Sequence, residues 1–257
     1  MLGAIAGDAL GSTFEFQPVK TTEIPVLPKD SRFTDDSVLT VATAFSLLTD
    51  GDYAANYRLF GRLYPLAGYG ARFKAWLEDG SLGPYNSWGN GSAMRVSPVG
   101  WAFETEDEVL AEAEKTAAVT HNHPEGIKGA QAVALAVFMA RRDEEKDAIK
   151  QAITTRFGYD LERKIADIRP CYKFDVSCQG SVPEALICFL EGADWLEAVK
   201  LAISLGGDAD TMACIAGAVA EAYYGGVPAE VAQTVRGMLP EHLAEVVSDF
   251  ETQYRQR

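Results

Sequence analysis

Residues 208–224 read DADTMACIAGAVAEAYY. Behind two aspartates, the stretch is apolar or small nearly all round, through Ala213, Ile215, Ala216, Ala218, Val219 and Ala220. A helix without a polar face belongs at the centre of a helical protein. Around it, other segments carry one apolar stripe at helical spacing. Val38, Val41, Ala42, Phe45 and Leu48 form the stripe of 37–49. Ile127, Ala130, Ala134, Val137 and Phe138 form that of 123–142. Leu186 and Phe189, Trp195 and Val199, and Val246 and Phe250 mark 180–190, 194–205 and 240–254. These are faces of helices packed on a core.

Strand signals are scarce. Residues 22–33 (TEIPVLPKDSRF) and 171–178 (CYKFDVSC) are short extended pieces without partners for a sheet. About twelve helices are expected by period, and the fold class is all-α, a compact orthogonal multi-helix bundle. The charge-rich stretch Arg141–Lys150 reads as a solvated turn between two helices. No linker, low-complexity run or fixed-period repeat interrupts the chain, so residues 1–257 are read as one domain. Gly3, Gly7 and Gly11 fall at i, i+4 and i+8 and make a smooth helix side that another backbone can approach closely.

Hydrophobic residues make up 47% of the 257 positions, enough for a core that needs no metal or disulfide to fold. The net charge is −14, which argues against nucleic acid and against an anionic membrane surface as partners. An acidic chain that handles an anionic substrate needs a local device, such as bound cations or helix N-termini. No apolar run is long enough to span a bilayer. The start, MLGAIAGDALG, lacks a basic residue and is interrupted by Asp8, unlike a signal peptide. Cys171, Cys178, Cys188 and Cys214 form no CxxC pair, and they read as free thiols of a cytoplasmic protein.

Two acidic motifs share a design. Thr34, Asp35 and Asp36 form one; Asp208, Asp210 and Thr211, preceded by Gly206 and Gly207, form the other. Capping explains either alone, because Thr and Asp suit helix N-termini. Together they supply the oxygen ligands that hard divalent cations require, and close carboxylates without cations would repel one another. Spacing alone does not establish that positions 34 and 208 meet. Asn90, Gly91, Ser92 and Met94 offer backbone N–H groups to an anion, although a turn followed by a capped helix accounts for the same residues. His121 or His123 suits a hydrogen bond to a polar ligand. Tyr69 and Trp88 are stacking candidates, and packing explains them equally.

The chain resembles the ADP-ribosylglycohydrolase family, of the dinitrogenase-reductase-activating type. The matching stretches are GAIAGDALGSTFEF at 3–16, FTDDS at 33–37, AGYGARFKAW at 67–76, GNGSAMRVSPVG at 89–100 and THNHPEGIKGAQAVALAVFMAR at 120–141. SVPEALICFLEG at 181–192 and SLGGDADT at 204–211 complete the set, in the family's order. The resemblance implies an all-α fold with a binuclear Mg²⁺ centre in an ADP-ribose cleft, Mn²⁺ being able to substitute. It implies Thr34, Asp35, Asp36, Asp208, Asp210 and Thr211 as metal ligands. Ala209 replaces a serine common in the family, at a position not expected to ligate. Glu15, which by itself reads as a surface acid, becomes the catalytic residue, and Asp8 a hydrogen-bonding support for the ligands. Asn90, Gly91, Ser92, Met94, His121 and Tyr69 become the substrate-binding set.

The activity so implied is hydrolysis of the glycosidic bond between ADP-ribose and an acceptor, arginine first and serine second, on a protein or a small molecule. The alternatives are a catalytically silent binding relative and a phosphohydrolase that would release AMP. The chain is expected to be a monomer.

Overall fold

The computed structural model describes residues 1–254 and is helical throughout, with fifteen helices and no strand among the described residues. The first seven are α1 (Leu2–Gly11), α2 (Asp35–Thr49), α3 (Tyr53–Leu63), α4 (Ala71–Glu78), α5 (Gly91–Met94), α6 (Ser97–Ala102) and α7 (Glu106–Ala118). Then come α8 (Pro124–Arg141), α9 (Lys146–Phe157), α10 (Ile165–Ile168), α11 (Cys178–Glu191) and α12 (Trp195–Ser204). The chain closes with α13 (Ala209–Tyr224), α14 (Ala229–Met238) and α15 (Glu241–Tyr254). The excess over the expected number is made of single turns such as α5 and α10, too short to show a period.

Helix α13 is the axis. All but its last two residues are buried, and it packs on α1, α12, α11 and α8. Its closest partner is α1. The glycine side of α1 meets α13 in antiparallel register: Gly3 faces Gly217, Gly7 faces Ala213, and Gly11 faces Ala209. The Met1 ammonium and the Gly3 amide both donate to the Glu221 carboxylate, at 2.5 and 2.7 Å, and pin the far end of the pair. The near end brings Asp8 and the residues following Gly11 to the start of α13.

A Cβ at Gly7 would overlap the backbone of Ala213, which has no flexible end to move aside. Gly7→Ala gains about 1 kcal/mol of helix propensity. It forces the two helices apart, an overpacking cost of ~1–3 kcal/mol that should win. Chemical denaturation should therefore show a lower midpoint for Gly7→Ala than for the wild type.

The 171–178 piece builds no sheet, as expected, yet it makes one isolated antiparallel bridge, between Gly89 and Ser177. Asn90 N donates to Val176 O at 2.8 Å, and Cys178 N donates to Trp88 O at 2.9 Å. The solvated turn expected over Arg141–Lys150 is present but shorter: α8 runs through Arg141, α9 begins at Lys146, and residues 142–145 between them are exposed. The Lys146 ammonium folds back over the end of α11, bonding Leu190 O at 3.0 Å and Gly192 O at 2.5 Å beside Phe189 and Tyr224. Carbonyls at a helix C-terminus lack intrahelical partners and draw a cation.

Candidate metal and ligand site

The end of α1 and the starts of α2 and α13 converge because of the α1–α13 register. Asp8 sits one turn before the end of α1, fully buried. Its carboxylate accepts from Thr34 N at 2.8 Å, Thr34 Oγ1 at 2.7 Å and Ser37 N at 3.1 Å, and also from the Ser37 hydroxyl. The donors lie at the N-terminus of α2, so Asp8 fixes where that helix begins. Thr34 caps α2, its hydroxyl accepting from Asp36 N. Across the same space, Thr211 Oγ1 donates to Asp36 Oδ2 at 3.2 Å, a contact between residues 175 positions apart. The two acidic motifs therefore meet.

The meeting is crowded. Asp8, Asp36 and Asp210 form one group of carboxylates whose nearest oxygens lie within 4.8 Å of one another, and Glu15, Asp208 and Asp210 form a second. Asp210 belongs to both. Burial, and after it the charge of Asp210, pushes Asp8 and Glu15 up to about 7. The same two causes hold Asp35, Asp36 and Asp208 well above the ordinary carboxylate range, and burial raises Asp210 itself. Asp36 Oδ1 is buried without a hydrogen-bond partner. Buried carboxylates this close, one oxygen unpaired, with the Thr34 and Thr211 hydroxyls beside them, make an oxygen-rich set that divalent cations fit.

A pH dependence follows. Raised pKa values mean that the folded chain without cations binds more protons than the unfolded chain between about pH 4 and 7. Its stability must then fall as pH rises through that window. Thermal melts in chelator should show this decline, and Mg²⁺ should raise the melting temperature more at pH 7.5 than at pH 5.

A cavity of about 450 Å³ opens above the acids, within the range of small-molecule sites. Glu15, Asp35, Asp36, Asp208, Asp210 and Thr211 line it, with Asn90, Gly91, Met94 and His121. Asn90 Nδ2 donates to Asp208 Oδ2 at 2.8 Å and so joins the 89–91 turn to the acids. Asp35 lies on the wall, in neither close group, with its amide donated to Ala67 O at 2.8 Å.

Other expected residues are set back. The Thr34 hydroxyl is turned to Asp8. Ser92 is fully buried and donates its hydroxyl to Gly126 O at 2.7 Å. Tyr69 is buried and stacks on Phe73, while its neighbours Gly68 and Gly70 reach the cavity. His123 caps α8, its Nδ1 accepting from Glu125 N at 3.1 Å, and half-exposed Trp88 leans on it. Sequence reasoning passed over Arg95, Tyr85, Phe174 and Val176 in the wall. Phe174 and Val176 are about half exposed, and only their place in the odd 171–178 piece, without helical period, could have flagged them.

The family model for ADP-ribosylglycohydrolase matches residues 1–257. The chain is 28% identical to human ADP-ribosylhydrolase ARH3, over 88% of this chain and 84% of that one. It is 27% identical to ADP-ribosylarginine hydrolase Tri1 of Pseudomonas putida, over 96% of this chain and 72% of that one. A solved structure described as an ADP-ribosylglycohydrolase-related protein complex superposes with a TM-score of 0.73 at 28% identity, covering 97% of this chain and 95% of the other.

Proposed function

The chain belongs to the ADP-ribosylglycohydrolase family, and we propose that it is a Mg²⁺-dependent hydrolase releasing ADP-ribose from a modified acceptor. The observation that carries this is the convergence of two acid-led helix starts on the floor of one cavity, with Glu15 and the 89–91 turn beside them. Thr34, Asp35, Asp36, Asp208, Asp210 and Thr211 would hold two ions, with Mn²⁺ able to replace Mg²⁺. Divalent cations supply there the positive charge that anchors ribose hydroxyls and favours an ionised water.

The chain's own groups do the rest. Asp8 fixes the start of α2 and so the direction of the Asp36 carboxylate. Asn90 holds Asp208, while the turn through Gly91 to Met94, with His121, faces the pyrophosphate. Tyr69 and Ser92, set back from the cavity, would act by supporting the loops that contact the ligand. Glu15, raised toward neutrality by burial, moves the proton: it takes one from the attacking water or gives one to the departing acceptor. Cleavage at the anomeric carbon passes through an oxocarbenium-like transition state, as in other glycoside hydrolysis.

Arginine is the first acceptor proposed and serine the second, because relatives of this chain include an ADP-ribosylarginine hydrolase and ADP-ribosylhydrolases not so qualified. A panel of arginine-, serine-, cysteine- and aspartate-linked ADP-ribose, scored for free ADP-ribose, tests both. Binding without release would favour a silent relative, and AMP would identify a phosphohydrolase. EDTA should stop release, and Mg²⁺ or Mn²⁺ should restore it. We also propose a single-domain cytoplasmic monomer. Its helices share one apolar cluster and its four cysteines are free. No described helix is long and apolar enough to cross a membrane.

A further inference from the structure

Arg95 follows the Asn90–Met94 turn and is fully buried, although it lies in the cavity wall. Its guanidinium covers the Tyr57 ring at 4.1 Å. Its Nη2 donates to Thr116 O and to Thr120 Oγ1, each at 2.9 Å. Thr120 Oγ1 in turn lies 2.7 Å from Nδ1 of His121. An arginine has no acceptor atom, so the direction of the first bond is fixed. The Thr120 oxygen accepts a hydrogen bond from Arg95 and has a proton of its own to donate.

That proton has one place to go. If Nδ1 of His121 carried a hydrogen, it would donate to Thr120, and the buried hydroxyl would have no acceptor for its own proton among its contacts. A buried donor left unpaired costs about 1–3 kcal/mol. Thr120 therefore donates to Nδ1, and the imidazole proton sits on Nε2. Burial, and after it the Arg95 charge, holds the imidazole well below its ordinary pKa, so the ring stays neutral. Nε2 lies on the side of the Gly89–Gly91 turn: a Cβ built on Gly91 would be 3.2 Å from it.

We infer that Arg95 and Thr120 are positioning residues that hold His121 with its proton on Nε2 and present that N–H to the cavity as a fixed donor for an anionic group of the ligand. The tautomer stands on the hydrogen bonds alone; the ligand half rests on the reading of the cavity as an ADP-ribose site. A proton fixed at Nε2 gives a donor of constant direction beside the amides of the turn. In a cavity floored by carboxylates, a neutral donor on the wall favours a phosphate without adding a charge that must be desolvated.

The experiment is a long-range ¹H–¹⁵N correlation of the histidine rings, paired with calorimetric titration of ADP-ribose on the same samples. Only three histidines are present, and His121→Asn assigns the signal. The wild type should show an unprotonated Nδ1 and a protonated Nε2. Thr120→Val, which keeps the side-chain shape, should give a mixed or reversed tautomer and weaken ADP-ribose binding about tenfold, the scale of one hydrogen bond to a charged group. Thr120→Ser should restore both.

A wild-type proton on Nδ1 overturns the inference even if Thr120→Val fails to fold, and so does a Thr120→Val ring that keeps the wild-type tautomer. A changed tautomer with unchanged ADP-ribose affinity overturns the donor role. The expected wild-type tautomer in a protein that does not bind ADP-ribose supports the positioning of His121 and sinks the proposed function instead.

Discussion

Asp210→Ala should lower the rate of ADP-ribose release by at least about 10²-fold and, in chelator, raise the melting temperature. The first effect follows from position. Asp210 is the one carboxylate common to both close groups, so its loss removes an oxygen from each at once. Changing a residue that merely orients a metal ligand already costs 10–100-fold, and a shared ligand should cost more. The second effect follows from charge. After burial, the Asp210 charge is the largest cause raising Asp8, Glu15, Asp35, Asp36 and Asp208. Without cations it is a source of repulsion, and its removal relieves the folded state alone. The Mg²⁺-dependent gain in melting temperature should shrink in the same variant. A variant that turns over normally, or keeps the full Mg²⁺ response, would return the acids to helix capping.

How far the sequence reveals such a site depends on whether the physics is local. The α13 core and the glycine side of α1 are legible because each is a pattern within one helix, and the structure joins the two. Capping by Thr34 is equally local. The meeting of Asp36 with Thr211 is a product of packing, and only the combination of family motifs pointed to it. Arg95 illustrates the limit. Within GNGSAMRVSPVG it is one cation among 23 Lys and Arg residues, and nothing in its neighbours shows that it is buried. Its role depends on where α7 ends, since Thr116 and Thr120 lie at that terminus. Tyr69 shows the opposite limit. An aromatic between two glycines looks presented, but its ring stacks on Phe73 of the next helix, which packs in turn on Trp76, and of the three residues only the glycines line the cavity. Lys146 was hidden in a charge run because burial of a stem is not visible in composition.

Glu15→Gln should reduce turnover about 10²–10⁴-fold, the usual worth of a positioned acid or base, while leaving ADP-ribose affinity near that of the wild type. The amide keeps the size of the side chain and one of its acceptors, and it cannot take or release the proton. The geometry makes this a demanding test. Glu15 is four residues beyond Gly11, carried to the start of α13 by the helix register, and its carboxylate lies within 4.8 Å of oxygens of Asp208 and Asp210. At that distance it could serve as one more ligand rather than as a proton carrier. The two roles differ in what the neutral amide disturbs. As a proton carrier, Glu15→Gln keeps the Mg²⁺-dependent rise in melting temperature and the heat of ADP-ribose binding, and loses only release. As a ligand, it loses all three together. It is also half-buried, unlike the fully enclosed Asp8 and Asp36, and so can meet both a water and an acceptor at the cavity mouth. Calorimetry, melting and release measured on one preparation separate the outcomes, and wild-type turnover in Glu15→Gln would remove it from the chemistry altogether.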